Sequence, residues 1–211
     1  MDVWSIKETF LDRFYEKYGY EIQPGWNVID IGAGLGDFTL FAAISRRDTK
    51  VFAFEPFPQS FVLAQENIKI NNTANAQVFD QAIAATSGKL VLDLAGNEPL
   101  QIRSQIEEAV EDQQHLAVRA VSLSDVLAAQ GIEICNLLKL DCEGAEYPIL
   151  FNTPQDTLER IDHIVMEYHD DMTEYTHRDL ARFLSDHGFR VDTFSNPVHS
   201  NLGYLRAIRE K

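Results

Sequence analysis

The chain has 211 residues, 45% apolar and 24% charged, which is the size and balance of one globular domain and excludes wholesale disorder or a collagen-like chain. Eighteen Lys and Arg against thirty-three Asp and Glu leave a formal charge of −15, which repels phosphate backbones and anionic lipid headgroups. Neither nucleic acid nor a membrane is therefore expected as a partner, and no apolar run reaches the roughly 18 residues of a membrane span.

The first twenty residues carry early acids and no apolar core, so they do not read as a secretion signal. They read instead as a capping helix, over 3–18, because Leu11, Phe14, Tyr15 and Tyr18 recur at one-face helical spacing. Gln23-Pro24-Gly25 is a turn, and 26–31 (WNVIDI) a short apolar strand. Glycines at 32–36 lead into a helix over 37–46, with Asp37 placed against its dipole. Residues 50–55 (KVFAFE) form a second strand, stopped by Pro56 and Pro58. A helix over 57–71 and a third strand over 77–84 follow.

Residues 85–122 form a variable insert expected over the site. SGKLVLDLAG and HLAVRAVSL look like extra strands, and the polar stretch 96–114 between them like a loop or short helix. SLSDVLAAQG is a short helix with Ser122 or Ser124 as its cap. Residues 135–141 (CNLLKLD) are a central strand. Next come a helix over 144–151, a helical turn over 154–160, a strand over 162–168 and a helix over 176–187. Strands over 189–194 and 203–208 close the chain as an antiparallel edge hairpin. This order predicts one α/β domain, a doubly wound, mostly parallel sheet with its ligand crevice at the carboxyl ends of the strands. Cys135 and Cys142 flank one strand, roughly 23 Å apart at about 3.3 Å per residue, too far for a bridge. Two lone thiols fit a reducing cytoplasm.

The strongest motif is Val28-Ile29-Asp30-Ile31-Gly32-Ala33-Gly34-Leu35-Gly36, set between a strand and a helix. A nucleoside triphosphate needs Gly-Lys-Ser/Thr at the end of such a loop, and this one ends Gly36-Asp37-Phe38. A dinucleotide needs a third glycine where Asp37 stands, and its pyrophosphate would meet the carboxylates of Asp30 and Asp37. S-adenosylmethionine carries a sulfonium and an ammonium and no phosphate, so the same carboxylates attract it. Glu55, ending the second strand, suits both ribose hydroxyls of any adenosine ligand.

VIDIGAGLGDFTLFAA, VFAFEPFPQSFVLAQENIKIN, QAIAATSGKLVL, LLKLDCEGAEYPIL and IVMEYHD resemble, in order and spacing, the FkbM-type S-adenosylmethionine-dependent methyltransferases, over roughly residues 22–195. FEPFP and KLDCEGAE carry most of that likeness. The resemblance implies a Rossmann-like class I fold with seven strands, and O-methylation of a sugar, polyketide or other secondary metabolite, with S-adenosylhomocysteine as product. By position it places Asp30, Gly32, Ala33, Gly34 and Gly36 on the methionine side, Glu55 and Pro56 at the ribose, Gln81 and Ala82 at the adenine, and Asp141 facing the methyl or the ammonium.

Methyl transfer is an in-line displacement that needs positioning and removal of a hydroxyl proton. Asp141 and Glu143 share side-chain parity with Lys139, and Glu167 shares it with His169, so these four are the expected catalytic residues. His169 is the preferred base, because imidazole titrates near neutral pH. Two alternatives stay open: Glu143 as a cap on the next helix, and Lys139 paired with a buried acid. Asp141, Glu167 and His169 also suit a divalent cation, although metal dependence is not the expectation. His115, His163, His177, His187 and His199 show no ligand spacing. Tyr147, Tyr168 and Tyr175 are either acceptor-pocket or core residues. The partner expected is a small-molecule acceptor; a carboxyl methyltransferase or a non-catalytic adenosine-binding module are the rival functions, and a homodimer is one option for the assembly.

Overall fold

The computed structural model describes residues 2–95, 98–103 and 115–210. It opens with α1 (Asp2–Ile6) and two π-type helical turns, Lys7–Leu11 and Tyr15–Gly19, then β1 (Asn27–Ile31), α2 (Asp37–Ser45), β2 (Lys50–Phe54), α3 (Pro58–Ile70) and β3 (Ala76–Phe79). The middle of the chain holds β4 (Ala82–Ile83), β5 (Gly88–Ala95), β6 (Glu98–Arg103), β7 (His115–Val121) and α4 (Leu123–Ala129). The remainder is β8 (Leu137–Leu140), α5 (Glu146–Phe151), α6 (Gln155–Leu158), β9 (His163–His169), α7 (His177–Asp186), β10 (Phe189–Ser195) and β11 (Leu202–Arg209).

The main sheet has seven strands in the order β10-β11-β9-β8-β1-β2-β3. All its pairings are parallel except those of β11, which runs antiparallel to both β9 and β10. The predicted edge hairpin is thus present. The chain order reverses beside β1, between the neighbours β2 and β8, and the crevice opens there at the carboxyl strand ends. β1 beyond Asn27 and all of β8 are buried because both faces of a parallel sheet are covered, Asp30 and Lys139 being the polar residues among their apolar ones. One face packs Ile29, Ile31, Leu138, Leu140, Ile164 and Met166 among buried residues of α4, α5 and α7. The other packs Val28, Leu137 and Val165 against α2 and the N-terminal segment. Among the described residues no helix is long and apolar enough to cross a membrane.

Three expectations need correction. The helix expected over 3–18 breaks at Arg13, whose φ is +51°. Hydrogen bonds from Asp12 N to Lys7 O and from Tyr20 N to Tyr15 O widen the turns on either side. The break leaves Leu11 exposed while Tyr15 turns into the core, an outcome that uninterrupted helical spacing does not foresee. The third strand stops at Phe79, and Ala82–Ile83 pairs instead with β7 in a second sheet ordered β4-β7-β5-β6. Part of the stretch read as a loop is β6, antiparallel to β5 with Ala95 opposite Glu98; residues 96–97 and 104–114 lie outside the described residues.

Candidate active site

The glycine loop leaves β1 with Gly32 N and Ala33 N donating to Phe54 O, and reaches α2 through Gly36 at φ +79°. A methyl group on Gly32 would lie 1.8 Å from the Asp141 carbonyl oxygen, so the loop passes directly against the end of β8. Gly34, at φ +53°, has nothing within 4 Å of that direction. The loop is therefore tight where it meets the sheet and open where a ligand would approach.

Side chains at the carboxyl ends form a row set by the sheet order. Gln81 follows β3, Glu55 follows β2, the glycine loop follows β1, Asp141 follows β8, and Glu167 with His169 ends β9. With strands about 4.8 Å apart, the row from Gln81 to Asp141 spans roughly 15 Å. A cavity of about 190 Å³ at its centre is lined by Gly32, Ala33, Gly34, Asp37, Lys139 and Asp141 from the sheet side. Its other wall is the N-terminal segment, through Ser5, Glu8, Thr9, Phe14 and Tyr15. A second cavity, of about 530 Å³, lies beside Gln81, Phe54 and Phe79 and is lined by Ser87, Gly88 and Arg119 of the insert. In the described residues the insert thus borders the Gln81 end, and the N-terminal segment covers the cavity expected beneath the insert.

Glu55 is buried, and its carboxylate accepts from Gly34 N and Phe57 N at 2.8 Å each. Burial pushes its pKa up to about 7 against those two hydrogen bonds. Each oxygen keeps lone-pair capacity for a further donor.

Asp30 corrects the electrostatic argument made from sequence. It is fully buried and does not line the cavity. Thr39 Oγ1 donates to it at 2.6 Å, and Lys139 Nζ lies 3.0 Å away. Asp30 and Lys139 are register partners on adjacent strands, so the pairing of Lys139 with a buried acid is the reading that holds. Lys139 also donates to Gly32 O at 2.8 Å, and although burial works against its charge, Asp30 and Asp141 hold its pKa above the ordinary value. The carboxylates that line the cavity are Glu8, Asp37 and Asp141.

The far end of the row gathers the other predicted groups. Ligand atoms of Asp141, Glu167 and His169 lie within 4.8 Å of one another. Glu143 has a half-exposed carboxylate 3.6 Å from His169 Nε2. Glu143 does not cap the following helix, whose N-cap is Ala145 with no side-chain bond; Glu146, the first residue of α5, instead holds the preceding turn, accepting from Cys142 N at 2.7 Å and Gly144 N at 2.8 Å. Glu146 Oε1 also lies 3.3 Å from His169 Nδ1. Burial disfavours the charge on His169, yet Glu146, Asp141 and Glu143 outweigh it and raise its pKa to about 9. That shift favours the protonated imidazole in the free protein and argues against choosing His169 as the base by its free pKa. Burial and the Asp141 charge move Glu167 upward as well.

The sequence profile described as "Methyltransferase FkbM domain" matches residues 30–191. The chain belongs to the FkbM methyltransferase family. The 31-O-demethyl-FK506 methyltransferase FkbM of Streptomyces tacrolimicus is 28% identical, with 91% of this chain and 83% of that protein covered. Methyltransferase 1 of Beauveria bassiana is 26% identical over 88% of this chain and 80% of its own length. Among solved structures, methyltransferase FkbM from Methylobacillus flagellatus superposes with a TM-score of 0.62 at 10% identity, covering 97% of this chain and 53% of the other. SMU.1697c from Streptococcus mutans, solved with SAH, gives 0.56 at 12% identity, over 90% and 91% of the two chains. These structures share the Rossmann-like class I fold, and the FkbM chain is an S-adenosylmethionine-dependent methyltransferase.

Four residues of this FkbM methyltransferase escaped the sequence reading as site residues. Tyr15 donates to Asp141 Oδ2 at 2.7 Å; no local signal marks it, since it reads as one more apolar position of a helix. Thr9 and Ser5 donate to Asp37, Ser5 at 2.9 Å, and tie the N-terminal segment to the start of α2. Glu146 stands three residues after Glu143 in KLDCEGAE, and only that repetition of acids marked it. Tyr147 and Tyr168 are core residues, the first bonded to Asp170 at 2.6 Å, and Tyr175 is exposed on the surface.

Proposed function

We propose that this FkbM methyltransferase transfers a methyl group from S-adenosylmethionine to a hydroxyl oxygen of a small molecule, a sugar, polyketide or other secondary metabolite, leaving S-adenosylhomocysteine. The observation that carries the reading is the meeting of Asp141, Glu167 and His169 at one end of the glycine-loop row. When bound, S-adenosylmethionine supplies an electrophilic methyl on a positively charged sulfur.

In this reading Gln81 and Ala82 border the adenine, and Glu55, beside Pro56, accepts the ribose hydroxyls with the lone pairs left by Gly34 N and Phe57 N. Gly32, Ala33, Gly34 and Gly36 shape the methionine side. Asp30 contributes through Lys139 rather than by contact, and Asp141 faces the ammonium. The acceptor hydroxyl enters between Asp141, Glu143, Glu167 and His169; the imidazole orients it, and the carboxylates receive its proton as the oxygen–carbon bond forms and the carbon–sulfur bond breaks. The N-terminal segment excludes water from above. The Streptomyces relative, whose name specifies an O-demethyl acceptor, supports a hydroxyl over other acceptors.

Release of S-adenosylhomocysteine from a panel of hydroxylated and carboxylic metabolites tests this. Turnover of hydroxyl compounds, lowered about 100-fold in Glu167→Gln, is the expected result. Turnover confined to carboxylic acids, with Glu167→Gln nearly as active as the parent, would overturn it.

A further inference from the structure

Asp141 and Glu167 offer two oxygens and His169 one nitrogen, all within 4.8 Å of one another. Two carboxylates and an imidazole make a donor set for a divalent cation, with water filling the remaining positions. Ligand bonds of about 2.0–2.2 Å hold neighbouring ligand atoms of an octahedral or tetrahedral site roughly 3–3.6 Å apart, so the three side chains would draw in around a bound ion.

His169 supplies an independent observation. Its side chain is 7% exposed. Nδ1 lies 3.3 Å from Glu146, and Nε2 faces the half-exposed Glu143 carboxylate at 3.6 Å, an ion pair longer than a hydrogen bond, whose proton a coordinated metal would displace. A carboxylate on one ring nitrogen, leaving the other turned to a ligand, is the arrangement that orients metal-bound histidines. Glu146 is itself held rigidly, fully buried and accepting two backbone N–H groups.

We propose that Asp141, Glu167 and His169 bind a divalent metal cation, with Glu146 as the positioning residue behind His169. Lys139 does not fill the place, because its ammonium lies 3.0 Å from Asp30 and 3.9 Å from Asp141. Occupancy of the site is independent of the acceptor; its catalytic consequence rests on the hydroxyl reading above. A hydroxyl docked on the cation gives up its proton more readily. The oxygen–carbon bond then forms as the carbon–sulfur bond breaks, and the proton leaves to water by way of Glu143.

The test uses the full chain, stripped with a chelator and titrated with Mn²⁺ followed by electron paramagnetic resonance. The expected result is one saturable Mn²⁺ site, displaced by Mg²⁺ and weakened about 10-fold or more in Glu167→Gln and in His169→Gln. Spin-echo modulation from an imidazole nitrogen in the parent protein reports the His169 bond without any variant. S-adenosylhomocysteine binding, measured alongside, checks that each variant is folded. Absence of saturable Mn²⁺ binding at millimolar concentration, or of nitrogen modulation, overturns the cation site while leaving the methyltransferase reading intact. Loss of S-adenosylhomocysteine binding in the parent protein would instead sink the placement of the donor.

Discussion

Tyr15 Oη donates to Asp141 Oδ2 at 2.7 Å across 126 residues of sequence. The bond joins the N-terminal segment to the end of β8, so one wall of the cavity depends on a contact with the other. The ring is held edge-on to Phe38, with centroids 5.0 Å apart. Burial and the charges of Asp141 and Glu167 push the phenol's pKa upward, which keeps it a donor at every working pH.

Tyr15→Phe should keep the packing and lose only this bond. A hydrogen bond to a charged group is worth about 1.5–3 kcal/mol. The expected result is roughly a 10-fold fall in kcat/KM, with a loss of about 1.5–3 kcal/mol of unfolding free energy. Steady-state kinetics beside urea unfolding checks both halves.

The Asp30–Lys139 pair makes a prediction about stability rather than chemistry. Both side chains are almost wholly buried, and removing one partner of such a pair costs about 3–5 kcal/mol. Lys139→Met should destabilise by that order. The double variant Asp30→Asn, Lys139→Met should recover part of the loss, because no uncompensated charge is then left inside. Urea unfolding of the three proteins measures the coupling.

Glu55 sets a pH dependence for donor binding. Its pKa stands at about 7, chiefly through burial. Accepting two ribose hydroxyls favours the ionised form, so binding should tighten as pH rises through 7 and level off above it. Below pH 7 the affinity should fall, by up to about tenfold per unit. Calorimetry with S-adenosylhomocysteine from pH 5.5 to 8.5 measures the slope, which Glu55→Gln should flatten. In the free protein the same upward shift has the opposite sense. The stabilisation present below the ordinary carboxylate range is lost as pH rises toward 7.

Gly32 and Gly34 should respond differently to alanine. At Gly32 the added methyl would lie 1.8 Å from the Asp141 carbonyl, and Gly32→Ala should lower the melting temperature sharply or prevent folding. At Gly34 the methyl meets no protein atom within 4 Å. Gly34→Ala should cost about 1 kcal/mol from its positive φ, yet weaken S-adenosylhomocysteine binding by more than that strain explains. Thermal unfolding with and without the ligand separates the two effects.

The amino-acid sequence by itself determined the alternation of strands and helices, the glycine turn after β1, the acid closing β2 and the polar residues closing β8 and β9. Apolar runs, turn residues and strand parity are local properties, and they carry those features. The Asp30–Lys139 pairing was legible only as an alternative, because parity says which face a side chain takes but not which strand lies beside it. Only the tertiary structure decided that Arg13 breaks the first helix, that Tyr15 reaches Asp141, and that Ala82–Ile83 leaves the main sheet for β7. It also set the surroundings of His169: Glu146, Asp141 and Glu143, all from the stretch just after β8, meet it at the end of β9 and raise its pKa to about 9. Charge interactions in a buried site depend on distances across the fold, and no spacing along the chain encodes them.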